Sequence, residues 1–330
     1  MEKILLKRTN PFKVVYEKCN EDTSREKLKN LINFPRYIDI ELTSKCNFKC
    51  LMCPTGTRSL TRKQGFLADD IYFKILGEII KYKTPIRFVG WGEPTLHPKI
   101  LDYIREAKKN GILCHINTNG SVLNEELIRN LVGVPIDSIK FSFQGIDRSS
   151  YKEIRNIDYY NELLKKIKLF FAIRGDRQLP YMQISTTVTS EDRDRIQAFR
   201  KEAEDFVDLV TVGRTHFDHP TDEKKLSEKE IHTLKRLKQQ ETIIKRHPEC
   251  AEVFDKFTIN WDGTASACCN DCDKEMVIGN LTKNSIAEIW HSEKMDFYRN
   301  MLAEMRHEEL EVCKRCYDYM SLQIPGLQKL

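Results

Sequence analysis

The stretch Cys46-Asn47-Phe48-Lys49-Cys50-Leu51-Met52-Cys53-Pro54 places three cysteines within eight residues, with the spacing C-x3-C-x2-C. It follows the segment Tyr37–Leu42, which predicts a β-strand, so the cysteines fall in the loop after that strand. Three thiolates this close together suit a metal cluster. Because they hold only three corners of a cubane [4Fe–4S] cluster, one iron stays open to an exogenous chelate. A zinc site completed by a distant ligand, and unligated thiols, are the competing interpretations.

Short β-rich segments alternate with helical patterns around this loop. The predicted strands are Tyr37–Leu42, Ile86–Val89, Ile112–Ile116, Ser138–Phe143, Met182–Val188 and Leu209–Val212. The predicted helices between them are Asp69–Lys83, Pro98–Asn110, Asn124–Leu131, Tyr159–Ile173 and Glu191–Ala203. This alternation predicts an α/β fold with a parallel sheet and helices on its outside. Functional groups are then expected at the carboxyl ends of the strands.

Composition narrows the class of protein. The chain has 330 residues, with 54 basic against 49 acidic side chains, and this scattered excess indicates no nucleic-acid partner. No apolar run approaches the roughly 20 residues that span a bilayer, and residues 1–10 lack the apolar region of a signal peptide. We therefore expect a cytoplasmic protein without a membrane partner. Disulfides are then not expected among the 11 cysteines, and their clustering indicates metal.

Further loops make the chain resemble the radical S-adenosylmethionine (SAM) superfamily, whose signature is this cysteine spacing after the first strand of a partial (β/α)6 TIM barrel. Gly90-Trp91-Gly92-Glu93-Pro94 is similar to the family's Gly-Gly-Glu-Pro loop after strand two. Asn117-Thr118-Asn119-Gly120 and Phe141-Ser142-Phe143-Gln144-Gly145 are similar to the loops after strands three and four. Their order, one at the end of each successive strand, carries the resemblance, which covers roughly residues 36–216.

The resemblance implies how cofactors are held. Cys46, Cys50 and Cys53 would ligate a [4Fe–4S] cluster with one open iron, and that iron would chelate SAM. The residues implied to bind SAM are Gly90, Gly92, Glu93, Asn117, Asn119, Ser142 and Arg155. For Arg155 a surface ion pair is the alternative interpretation. Reductive cleavage of SAM would give a 5′-deoxyadenosyl radical that abstracts a hydrogen atom, with a flavodoxin or ferredoxin-type electron donor.

A second cysteine set lies near the C-terminus. Cys250, Gly263 and Cys268 form C-x12-G-x4-C, and Cys313-x2-Cys316 follows. Four thiolates suit either a fully ligated [4Fe–4S] cluster or a zinc site. The arrangement resembles the SPASM/twitch extension, which binds auxiliary clusters. Because no cysteine follows Cys316, one auxiliary cluster is expected, as in 2-deoxy-scyllo-inosamine dehydrogenase-like enzymes.

These observations predict four regions: an N-terminal extension (residues 1–35), charged and irregular; the partial barrel (36–220); a charged helical bridge (221–249); and a small cysteine-rich auxiliary-cluster domain (250–330). Within the last, Lys256–Trp261 and Thr264–Ala267 predict a β-hairpin, and Ser285–Ala303 a helix.

The substrate is expected to be a small sugar, cyclitol or polyol that is oxidised, with the auxiliary cluster as electron acceptor. His216 or Asp218, after the sixth strand, would take the proton of a substrate hydroxyl, and a solvated loop is the alternative interpretation for each. Cys269 is either a small buried residue or a hydrogen-atom donor, and Cys272 could play the same part. A donor thiol would make the enzyme an epimerase, and modification of a peptide is a third possibility.

Overall fold

A computed structural model describes residues 8–217, 219–238, 243–246, 250, 252–316 and 320–322. Its central sheet contains six strands that lie side by side in chain order. They are β1 (Tyr37–Ile40), β2 (Ile86–Phe88), β3 (Cys114–Thr118), β4 (Ser138–Ser142), β5 (Tyr181–Val188) and β6 (Leu209–Arg214). Every neighbouring pair is parallel. Among the described residues β6 pairs only with β5, so the barrel is partial, and the predicted fold class is confirmed.

Helices surround this sheet. The described α-helices are α1 (Lys13–Cys19), α2 (Ser24–Lys29), α3 (Asp69–Ile79), α4 (Ile100–Lys109), α5 (Glu125–Gly133), α6 (Arg148–Arg155), α7 (Tyr160–Arg174), α8 (Arg193–Ala203), α9 (Glu228–Lys238), α10 (Glu252–Asp255), α11 (Ile286–Trp290), α12 (Glu293–Ala303) and α13 (Glu311–Lys314). Five of them, α3, α4, α5, α7 and α8, occupy the predicted positions. Helix α6 was not predicted, because its eight residues contain only two apolar side chains, Tyr151 and Ile154.

The N-terminal region is more regular than its sequence indicates. Helix α2 begins with a capping box in which Thr23 and Glu26 satisfy each other's main-chain N–H groups, a signal that the charged composition hid. Phe12, just before α1, is fully buried, and its ring lies edge-on to His115 at 5.7 Å. Because His115 lies in β3, the N-terminal region covers one end of the barrel interior.

The C-terminal region continues the sheet. The remaining strands are β7 (Ile243–Arg246), β8 (Lys256–Ile259), β9 (Thr264–Ser266), β10 (Val277–Asn280) and β11 (Met320–Leu322). Strands β8 and β9 form the predicted hairpin, and β8 pairs in parallel with β1. Residues 221–249 contain helix α9, and strand β7 is an element of this bridge that the sequence did not predict. The helix predicted over Ser285–Ala303 is two helices, because the Ser292 side chain caps a new start at α12.

The hydrophobic core lies between the sheet and its helices. Ile71, Ile75 and Ile79 of α3 are buried at the predicted helical spacing. The opposite face of β1–β4 points into the barrel and carries the polar side chains Asp39 and His115, which are also buried. Among the described helices, none has both the length and the apolar character needed to cross a bilayer. The polar interior positions the site described next.

Candidate active site and auxiliary cavity

A cavity of about 540 Å³ opens at the carboxyl ends of the barrel strands, and we call it the barrel-mouth cavity. It collects the residues that the sequence assigned to the first cluster and to SAM. The residues of that set all line it: Cys46, Cys50, Cys53, Gly90, Gly92, Glu93, Asn117, Asn119, Ser142 and Arg155. His216, one of the two predicted proton acceptors, lines it as well. Loops far apart in the chain thus converge as the alternating pattern predicts.

The cysteine loop is folded tightly on itself. The N–H of Cys53 bonds to the carbonyl of Cys50 at 3.2 Å, and a Cβ on Gly56 would lie 2.3 Å from the same carbonyl oxygen. Only glycine therefore fits at position 56 without a shift of the loop. Burial raises the pKa of Cys46 to about 12, so a metal that binds here must displace thiol protons.

Arg155 lies beneath this loop. Its side chain is 5% exposed, so the alternative of a surface ion pair was wrong. Its Nη1 donates to the Sγ of Cys50 at 3.4 Å, and its Nη2 donates to the carbonyl of Ser142. A guanidinium against a thiolate ligand offsets the negative charge that a cluster brings. Arg155 is thus in contact with the thiols as well as with the wall of the cavity.

Glu93 is held by a complete set of donors. Its Oε1 accepts from the hydroxyls of Thr95 at 2.5 Å and Thr118 at 2.7 Å, and its Oε2 accepts from the N–H of Asn119 at 2.6 Å. Burial, the largest influence, raises the pKa of Glu93 against these hydrogen bonds. Glu93 therefore joins the loop after β2 to the loop after β3.

An ion pair that the sequence did not predict lies behind that loop. Arg62 and Glu41 form two parallel hydrogen bonds of 2.6 and 2.7 Å, and both side chains are 3% exposed. Glu41 Oε1 also accepts the N–H of Trp91 at 3.0 Å. The signal was the alternation of apolar and acidic residues from Tyr37 to Leu42, which places Glu41 on the inner face.

Polar groups form the far side of the barrel-mouth cavity. Gln144 is 8% exposed, its Nε2 donates to Thr187 Oγ1 at 3.4 Å, and its Oε1 is buried without a hydrogen-bond partner. Burial, and then the charge of Arg214, lower the pKa of His216 to about 4, so this imidazole is neutral at pH 7. Asp218, the other predicted proton acceptor, lies outside the described residues.

Deeper in the barrel lies a buried charge network that was also missed. Asp39 accepts two hydrogen bonds from Arg87, at 2.6 and 2.8 Å. His115 bonds to Ser138 at 2.6 Å and to Asn117 at 2.7 Å, and burial lowers its pKa to about 3. These residues support the floor of the cavity, because Asn117 is one of its lining residues.

A second cavity, of about 630 Å³, lies in the C-terminal region, and we call it the auxiliary cavity. All four cysteines predicted to hold the auxiliary cluster line it: Cys250, Cys268, Cys313 and Cys316. No two of these thiols form a disulfide. Four sulfur donors around a cavity of this volume fit a fully ligated [4Fe–4S] cluster. The three thiols beside the barrel-mouth cavity fit the first cluster, which keeps one iron open.

The two unassigned cysteines are not in the lining of the barrel-mouth cavity. Cys269 follows Cys268, and its Sγ accepts from Lys256 Nζ at 3.0 Å. Cys272 is fully buried. Among the described residues that line the barrel-mouth cavity, the thiols are those of Cys46, Cys50 and Cys53. Cys114 is buried in the core.

Comparisons with known proteins agree with this geometry. The family model of the radical SAM superfamily matches residues 40–203, and that of SPASM, an iron–sulfur cluster-binding domain, matches residues 250–317. An S-adenosylmethionine-dependent nucleotide dehydratase from Flammeovirga pacifica is 30% identical over 209 residues, which cover 59% of this chain and 69% of the relative.

Other relatives are matched over shorter stretches. A tungsten-containing aldehyde ferredoxin oxidoreductase cofactor-modifying protein from Pyrococcus furiosus is 37% identical over 109 residues, which cover 32% of this chain and 30% of the relative. Two further relatives are matched over 42% and 46% of their own length. The chain thus spans less than half of these three proteins.

Solved structures share the fold. The crystal structure of BtrN in complex with AdoMet and 2-DOIA has a TM-score of 0.56 at 18% identity, covering 87% of this chain and 98% of BtrN. SuiB from Streptococcus suis, bound to S-adenosylmethionine, has a TM-score of 0.65 at 16% identity, covering 88% of this chain and 74% of SuiB. The chain belongs to the radical SAM superfamily, whose enzymes use SAM and a [4Fe–4S] cluster, and it carries a SPASM domain, which binds auxiliary iron–sulfur clusters.

Proposed function

We propose that this enzyme dehydrogenates a small polyhydroxylated substrate, a sugar, cyclitol or polyol, at a carbinol carbon. The observation that carries the proposal is the auxiliary cavity, whose lining includes all four predicted ligands, Cys250, Cys268, Cys313 and Cys316. A cluster with all irons ligated by protein has no site for substrate, and its remaining use is to accept or relay an electron. BtrN, whose crystal structure holds AdoMet and 2-DOIA, has the same fold over nearly its whole length and is consistent with a small-molecule substrate.

The chain's residues have separate tasks in this proposal. Cys46, Cys50 and Cys53 hold the first cluster, and the four cysteines of the auxiliary cavity hold the second. When bound, SAM and the first cluster supply hydrogen-atom abstraction from carbon, and the auxiliary cluster supplies an acceptor for one electron. Gly90, Gly92, Glu93, Asn117, Asn119, Ser142 and Arg155 orient SAM.

Oxidation of a carbinol to a carbonyl also removes a proton from oxygen. His216 lines the cavity in its neutral form, which can accept that proton. Its lowered pKa makes the neutral imidazole a weaker base than an exposed histidine, and it favours passing the proton on to solvent. Asp218 stays an alternative acceptor on sequence grounds. Gln144, with its unpartnered Oε1 in the same wall, is suited to accept a hydrogen bond from a substrate hydroxyl.

Epimerisation requires a thiol that can reach the substrate radical. The described lining of the barrel-mouth cavity holds no thiol besides the three predicted cluster ligands, which favours dehydrogenation over a role for Cys269 or Cys272 as hydrogen donor. Peptide modification has a precedent in the fold, since SuiB has been crystallised with its precursor peptide SuiA. The cavity of about 540 Å³ is of the size that small ligands occupy.

Anaerobic reconstitution tests the radical SAM assignment. The chain should bind about eight irons, and with dithionite and SAM it should release 5′-deoxyadenosine. Cys50→Ala should bind about four irons and should release no 5′-deoxyadenosine. Cys114→Ala replaces a cysteine in the hydrophobic core by the same residue, and this control should behave as the wild type. Release of 5′-deoxyadenosine by Cys50→Ala would contradict the assigned ligand set.

Product analysis tests the reaction. Incubation with a panel of cyclitols, alditols and aldoses in deuterated water should give a carbonyl product without solvent deuterium on carbon. Cys313→Ala should still cleave SAM but should not form this product. Deuterium at an inverted carbon would indicate epimerisation, and turnover of peptides alone would indicate a maturase; either result overturns the proposal.

A further inference from the structure

A buried lysine touches the wall of the auxiliary cavity. Lys256, the first residue of β8, is 4% exposed, and its ammonium makes an ion pair with the carboxylate of Glu252. Its Nζ also lies 3.0 Å from the Sγ of Cys269 and 3.8 Å from Asp39. A lysine is rarely buried this completely unless charged partners surround it.

The ion pair lies beside a predicted cluster ligand. Both Glu252 and Cys268 line the auxiliary cavity, and Cys269 follows Cys268 in the chain. One carboxylate oxygen of Glu252 and the sulfurs of Cys268 and Cys269 all lie within 4.8 Å of one another. The Lys256–Glu252 pair is therefore adjacent to the sulfur through which Cys268 would bind iron.

Other charged groups near the pair include the ammonium of Lys140, which interacts with Asp39 and Cys269, and several carboxylates. Asp39 is neutralised by its paired hydrogen bonds with Arg87. Glu21, Asp22 and Glu26 line the same cavity but are exposed, where water and salt screen them. Lys256 and Glu252, one buried and one half-buried, thus form a pair of opposite charges whose field at Cys268 is weakly screened.

We infer that the Lys256–Glu252 pair sets the reduction potential of the auxiliary cluster, with Lys256 favouring the reduced state and Glu252 opposing it. One-electron reduction adds one negative charge, which a nearby ammonium stabilises and a nearby carboxylate destabilises. Both residues act through the environment of Cys268, as positioning and charge-setting groups. The purpose of this tuning rests on the proposed function, in which the auxiliary cluster accepts an electron. The effect of the two charges on the reduction potential does not depend on that function.

Removal of the two charges should shift the reduction potential of the auxiliary cluster in opposite directions. Lys256→Met removes the positive charge and keeps the volume of the stem, so the potential should become more negative. Glu252→Gln removes the negative charge and keeps the shape, so the potential should become more positive. Lys256→Arg keeps the charge and should restore a potential near that of the wild type.

The experiment is a potentiometric titration of the full-length, anaerobically reconstituted protein, followed by electron paramagnetic resonance. The auxiliary signal is identified as the one that SAM leaves unchanged and that Cys50→Ala retains. Lys283→Met, at an exposed position of the same region, is the control and should not move the potential. Iron content of each variant shows whether the cluster is held.

Unchanged potentials in Lys256→Met and Glu252→Gln, or shifts of both in one direction, would overturn the inference. If Lys256→Met fails to hold iron, the sign of the Glu252→Gln shift decides alone. Opposite shifts in a protein that oxidises no small polyol would support the inference while sinking the proposed function. The two ideas are therefore tested separately.

Discussion

The indole Nε1 of Trp91 donates a hydrogen bond of 3.2 Å to the main-chain carbonyl of Cys269. Trp91 lines the barrel-mouth cavity, and Cys269 is the neighbour of Cys268 in the auxiliary cavity. One hydrogen bond thus connects the loop expected to bind SAM with the residue next to a predicted ligand of the second cluster. Loss of this bond should affect both the loop after β2 and the segment that carries Cys268.

Trp91→Phe keeps an aromatic ring but removes the Nε1 donor together with part of the ring volume. We expect the free energy of unfolding to fall by about 1 kcal/mol more than in a matched control, because the Cys269 carbonyl loses its partner. Trp261→Phe is that control, since the buried Nε1 of Trp261 makes no hydrogen bond. Denaturant unfolding of both variants measures the difference, and equal values would show that the bond contributes nothing.

Gly92→Ala should abolish SAM binding while the first cluster stays bound. A Cβ at position 92 would lie 2.0 Å from the carbonyl oxygen of Thr43, so the loop must move away from its place at the cavity wall. Gly77→Ala in α3 is the control, because nothing lies within 4 Å of its Cβ. That control should stabilise the helix by about 0.5–1 kcal/mol. Equilibrium dialysis with SAM and an iron assay test both; wild-type SAM affinity in Gly92→Ala would refute the argument.

Arg87→Met should destabilise the fold by about 3–5 kcal/mol, because it leaves the fully buried Asp39 without its guanidinium partner. Burial raises the pKa of Asp39, but the charges of Arg87 and Lys256 outweigh it, so the net shift is downward. Arg129→Met, which breaks an exposed pair with Glu125 on α5, should cost less than about 1 kcal/mol. Chemical unfolding compares the two, and similar losses would mean that the buried pair adds no stability.

Acid should weaken the protein through His115. Its pKa is lowered by burial to about 3, whereas an unfolded histidine titrates near 6.5. The unfolded chain therefore binds a proton that the folded chain excludes, and this stability is lost as pH falls from about 6.5 toward 3. The loss is about 1.4 kcal/mol per pH unit.

His115→Asn removes the imidazole that takes up a proton on unfolding. The free energy of unfolding should therefore depend less on pH between 6.5 and 5 in this variant. The metal-free, reduced chain is suited to this measurement, since cluster loss does not then accompany unfolding. Buried His216, whose pKa is also lowered, keeps some slope in the variant. A variant as sensitive to pH as the wild type would show that His115 is protonated in the folded state.

Much of the site was predictable because its signals are local. Cys46, Cys50 and Cys53 must be near one another in the chain to share a cluster, and the loops around Glu93 and Asn119 each follow a strand. Parallel order then brings them to one end of the sheet. The prediction that these loops meet did not require knowledge of how side chains pack.

What escaped prediction depends on contacts between distant segments. Asp39 and Arg87 are polar residues within strands, and their partnership appears only when β1 and β2 are adjacent. Glu41 meets Arg62 across a loop, and Lys256 meets Cys269 across a hairpin. A single sequence shows the alternation that turns such side chains inward but not which of them will meet.

Strand β8 lies against β1 in the same parallel ladder, with Tyr37 opposite Lys256. A chain cut before residue 250 would bare the main chain of β1 along a sheet edge, which invites self-association. Exchange of SPASM domains between relatives must therefore preserve the pairing of β1 with β8, because the two regions share one hydrogen-bonded sheet. For protein engineering, the barrel and the SPASM domain are therefore best transferred together as one unit.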